Sequence, residues 1–88
     1  MVSLTPTLKT QKEVKFYTWA VYENLVVDKN DTIPCAEFTD DVNLSQAILV
    51  NNSSGAKIAT DTILLNVITV TGDATDADCT LFVYGRRA

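Results

Sequence analysis

Residues 57 to 71 read KIATDTILLNVITVT. On a pleated strand successive side chains alternate between faces. Ile63, Leu65, Val67 and Thr69 then share one face, and Leu64, Ile68 and Val70 share the other. Both faces are apolar. Such a strand has to be covered on two sides, within a domain or at a contact between subunits. Its β-branched residues also fit a strand better than a helix. This run alone demands a layered architecture.

The stretch KEVKFYTWAVYENLVVDK, residues 12 to 29, makes a similar demand. Val14, Tyr17, Val21 and Leu25 would form a helical stripe, so a helix stays open as an alternative. The density of aromatic and β-branched residues favours one long or broken strand pair with a bend at Glu23-Asn24. As a strand, Tyr17, Trp19 and Val21 share one face, and Phe16, Ala20 and Tyr22 the other. DKND (28–31) is a turn cluster. TIPCAEF (32–38) contains Pro34, which cannot donate to a ladder and belongs at a sheet edge. TDDVNLSQ (39–46) reads as a polar connector with room for one helical turn capped by Thr39 or Asp40. AILVN (47–51) is a strand, and NSSG (52–55) a hairpin turn in which Gly55 takes a positive φ. GDATDAD (72–78) is a loop before the last strand, CTLFVYG (79–85), and so the acidic tip of a final hairpin.

Five to seven strands with turn signals about ten residues apart predict an all-β fold, a small antiparallel β-sandwich or barrel. Residues 1–11, rich in Thr and Ser and carrying Pro6, read as an extended N-terminal arm on a single β domain of residues 12–88. Alone such an arm would fray; against a neighbouring subunit it could add a strand. The chain has 88 residues, and a core of that size is marginal without a staple or a partner.

Chemistry is scarce. There is no histidine, so a Ser-His or Cys-His pair cannot be built from this chain. Three glycines form no phosphate-binding motif. Cys35 and Cys79 lie far apart in apolar contexts and are expected to be buried, inert thiols. Asp73, Asp76 and Asp78 crowd one loop. Measured against the EF-hand pattern from Asp73, however, the third, fifth and twelfth positions are Thr75, Ala77 and Tyr84, none of them a carboxylate ligand. Asx-turn hydrogen bonds explain the loop better. No metal, cofactor or catalytic residue is expected. The formal charge of −4, with scattered Lys and Arg, argues against a nucleic-acid partner. No apolar run is long enough for a membrane helix, and MVSLTPTLKTQK lacks the apolar core of a cleaved export signal.

The aromatics remain. Trp19 is expected in the core; if exposed, Tyr17 and Trp19 could stack on a sugar ring. Phe16, Phe38, Phe82 and Tyr84 suit core or interface. The closing run VTGDATDADCTLFVYGRR and the opening MVSLTPTLK resemble the two ends of small phage head-decoration (cement) proteins. That resemblance implies an all-β virion structural protein with no catalytic residues. It would be made in the host cytoplasm and sit on the capsid surface as a homo-oligomer, often a trimer. There it would clamp the major capsid protein or other virion subunits. The expected contacts are Val2, Leu4, Pro6 and Leu8 of the arm, Tyr17 and Trp19 of the sheet, and the terminal Arg86 and Arg87. The alternative function is a carbohydrate-binding or adhesion β-sandwich.

Overall fold

The computed structural model describes residues 2–14, 17–35, 42–63 and 66–87. Eight strands follow one another: β1 (Thr7–Val14), β2 (Tyr17–Val27), β3 (Thr32–Pro34), β4 (Val42–Asn51), β5 (Lys57–Ile58), β6 (Thr60–Ile63), β7 (Val67–Val70) and β8 (Ala77–Arg87). They form a five-stranded sheet in the order β1-β2-β8-β4-β5 and a three-stranded sheet in the order β3-β7-β6. All strand pairs are antiparallel. The all-β expectation holds, and the helical alternative for residues 12–29 does not. The long axis, 36 Å, is the span of an eleven-residue strand such as β2 or β8 at about 3.3 Å per residue.

Alternation explains which residues face inward. On β2, Thr18, Ala20 and Tyr22 are buried. The register shifts between Tyr22 and Leu25, where Asn24 takes φ 59°. This bulge is the bend expected at Glu23-Asn24, and Asn is among the few residues that tolerate that conformation. The extra residue resets the phase, so Leu25 and Val27 also point inward. On β8 the inward set is Cys79, Leu81 and Val83, and on β4 it is Leu49. These meet Ile33, Ile68 and Val70 of the smaller sheet in one buried cluster. Each Leu, Ile or Val among them contributes about 1.5–3 kcal/mol by leaving water.

Residues 57–71 are not one strand. The chain pairs with β4 as β5, then joins the smaller sheet as β6 and turns back as β7. The apolar character of both faces is thus divided between two sheets rather than sandwiched in one; Leu64 and Leu65 lie outside the described residues. At the corner the Ala59 carbonyl accepts the N–H groups of Thr71 and Gly72, both at 2.9 Å. A Cβ on Gly72 would stand 2.7 Å from the Ala59 nitrogen, so only glycine allows this approach. Gly55 has φ 74° in the β4–β5 hairpin, as expected.

Two other expectations are corrected. Residues 42–46, read as connector, belong to β4 and pair with β8 up to Arg87; β-ladder pairing outweighs their polar composition. The possible cap at Thr39 or Asp40, and Phe16 and Phe38, lie outside the described residues. GDATDAD is not a hairpin tip either. It carries the chain from β7 in one sheet to β8 in the other, and Ala77 and Asp78 already belong to β8.

The N-terminal stretch is divided between the sheets. Val2–Leu4 runs parallel to β3: Leu4 N–H donates to the Thr32 carbonyl at 2.7 Å, and Thr32 N–H to the Val2 carbonyl at 2.8 Å. Leu4 packs on the core. Thr7–Val14 then forms the edge strand of the larger sheet. The latch is Asp31, whose buried carboxylate accepts Val2 N–H at 3.1 Å and Asp28 N–H at 2.9 Å. Asp31→Ala leaves both donors without their partner and is expected to cost about 2–3 kcal/mol. Hydrogen exchange checks this: protection should fall at Leu4 and Thr32 and persist at Leu81, and unchanged protection at Leu4 would remove the latch.

Candidate functional site

The residues that alternate with the core positions build the outer face of the five-stranded sheet. Cross-strand register sets them in rows. Lys12, Trp19, Tyr84 and Gln46 lie side by side, and the next row is Thr10, Val21, Phe82 and Ile48. Tyr17 stands beside Arg86, and its ring lies 6.1 Å from that of Tyr84, tilted by 58°. The large apolar side chains here are open to solvent: Tyr17 45%, Trp19 37%, Ile48 43%, Phe82 45% and Tyr84 39%. Trp19, Ile48, Phe82 and Tyr84 border a shallow groove of about 340 Å³, with Gln46 contributing the one side-chain amide. Large exposed apolar patches of this kind are enriched at interaction sites.

Trp19 is therefore not a core residue, contrary to expectation. The core side of β2 holds Tyr22 instead, because the phase of the alternation puts Trp19 on the opposite face. Of the eight residues singled out in the sequence, the fold brings Tyr17, Trp19 and Arg86 together on this face. Val2, Leu4 and Pro6 sit apart, along and after the β3 edge, and Leu8 lies on the edge strand β1. Arg87 ends β8 opposite Val42. Ile48, Phe82 and Tyr84 complete the patch. Phe82 and Tyr84, read as core or interface, lie in CTLFVYG, where positions 80, 82 and 84 share a face; only the central place of β8 joins that face to that of Trp19, and only the β8–β4 pairing adds Ile48.

The acidic loop does not converge. Asp73 is nearly fully exposed and pairs with Lys29 at 3.6 Å. Asp76 has φ 47°, and its N–H donates to the Asp28 carboxylate at 2.8 Å. These are turn-forming contacts. Among the described residues no group of three His, Cys, Asp or Glu is arranged to hold a metal ion. Cys35 and Cys79 are buried and form no disulfide. Burial, and secondarily the charge of Asp78, pushes the Cys79 thiol up, which keeps it protonated and poorly nucleophilic at neutral pH. A thiol raised in the folded state supports stability below its unfolded pKa, and that support fades as pH rises through the folded value.

No family model, curated protein or solved structure matches this chain.

Proposed function

We propose that the protein is a non-enzymatic structural subunit that works by burying the outer face of its five-stranded sheet in an assembly, and that this assembly is a virus head. The observation that carries the reading is the continuous row of exposed rings and aliphatic groups across β2, β8 and β4. A face of this kind in water costs free energy that a protein surface returns at about 25 cal/mol per Å². The resemblance of both chain ends to head-decoration proteins supports the choice of assembly.

A sugar ligand fits less well. Sugar recognition needs charged or amide groups placed around a stacking ring, and the groove offers the Gln46 amide with the indole N–H of Trp19 and the hydroxyl of Tyr84, and no carboxylate. The neighbouring Tyr17 and Tyr84 rings are tilted rather than coplanar.

Phage particles banded on a density gradient and labelled with an antibody against this chain test the proposal. Label on heads at a fixed number of copies per particle is the expected result. Label confined to the free-protein fractions would contradict it.

A further inference from the structure

We propose that the outer face of the larger sheet is covered by a second copy of the chain, laid face to face with strands reversed about a two-fold axis passing by Phe82. This rests on the reading that the face is buried in an assembly, and it names the occupant.

The central strand carries the argument. Outward-facing residues of β8 run Asp78, Thr80, Phe82, Tyr84, Arg86. The acid and the base stand at equal distances either side of Phe82, with apolar and neutral groups between. Within one chain they are roughly 26 Å apart at about 3.3 Å per residue, beyond the screening length of about 8 Å. Neither takes part in an ion pair among the described residues. A two-fold axis perpendicular to the strands and lying between the sheets sets position 82 + k against 82 − k. Asp78 of each copy then meets Arg86 of the other, Thr80 meets Tyr84, and Phe82 meets Phe82. A self-complementary patch is what an isologous interface requires. Stacked sheets lie about 10 Å apart, a gap that Arg and Asp side chains together can bridge.

The edges are poorer routes to association. β1 presents Lys9 and Lys12 and a register shift between Leu8 and Thr10, β5 has two residues and β6 four, and the Val2–Leu4 segment covers β3. Charge, bulges and short length blunt edges in this way. The face, five strands wide at about 4.8 Å spacing, offers roughly 600 Å² per copy. Two copies bury about 1,200 Å² in total, the lower end of specific interfaces.

Sedimentation velocity over about a hundredfold range of concentration tests the pairing. The wild type is expected to form a dimer that weakens with added salt. Asp78→Arg and Arg86→Asp should each raise the dimer dissociation constant about tenfold or more, and the double variant should restore it. If a reversal disturbs the fold by circular dichroism, Asp78→Asn and Arg86→Gln read the same contact with about a fivefold weakening. A monomer at every concentration, or a double variant no tighter than the singles, would overturn the pairing. A monomer that still labels virus heads would fail this inference alone and leave the structural role standing.

Discussion

Leu81→Ala is expected to lower the free energy of unfolding by about 3–4 kcal/mol. Leu81 lies on β8, the middle strand of the larger sheet, and is fully buried between its cross-strand partners Tyr22 and Leu49, in the cluster shared with the other sheet. Truncation removes apolar contact and leaves a cavity that paired strands on both sides prevent from closing. An 88-residue domain holds only about 5–10 kcal/mol in all, so the variant should be partly unfolded at physiological temperature. Urea denaturation followed by circular dichroism reads the effect. A loss below about 1 kcal/mol would mean that the core does not centre on this strand.

Phe82→Lys, one residue further along, should do the reverse. Its side chain points out of the sandwich, so unfolding free energy should change by less than about 1 kcal/mol. Association should weaken by more than about a hundredfold. An aromatic anchor is lost from the centre of the face, where truncation is most costly. At the two-fold axis the new lysine meets its own copy, adding like-charge repulsion. Sedimentation and urea denaturation on the same sample separate the two effects. A Phe82→Lys variant that unfolds, or that associates as the wild type does, contradicts the assignment of this face.

Leu81 and Phe82 also show what could be read from the sequence. Alternation alone puts them on opposite faces, and turn residues such as Gly55 and Asn24 punctuate the strands where expected. The class of fold followed. Which face meets the other sheet did not, because a strand apolar on both sides has no polar face to mark the outside. The single Trp of a short chain is expected in the core, yet Ala20 and Tyr22 are the buried residues of β2 and Trp19 lies on the opposite face. The splitting of residues 57–71 depends on the close approach of Gly72 to Ala59, a long-range contact invisible to periodicity. The candidate site was half legible. Tyr17, Trp19 and Arg86 are legible as contacts and Phe82 and Tyr84 as core or interface, but Ile48 and the joining of all of them on one face follow only from the β2-β8-β4 order, which no local pattern encodes.

Trp19 is the single tryptophan of the chain and stands on the face in question, so its fluorescence reports directly on whether that face is covered. Emission and acrylamide quenching measured across the concentration range of the sedimentation series give the decisive reading. Emission should move to shorter wavelength and quenching should fall as the protein associates, and both changes should be absent in Phe82→Lys. Association that leaves Trp19 emission and quenching unchanged would place the contact elsewhere on the molecule and contradict the account.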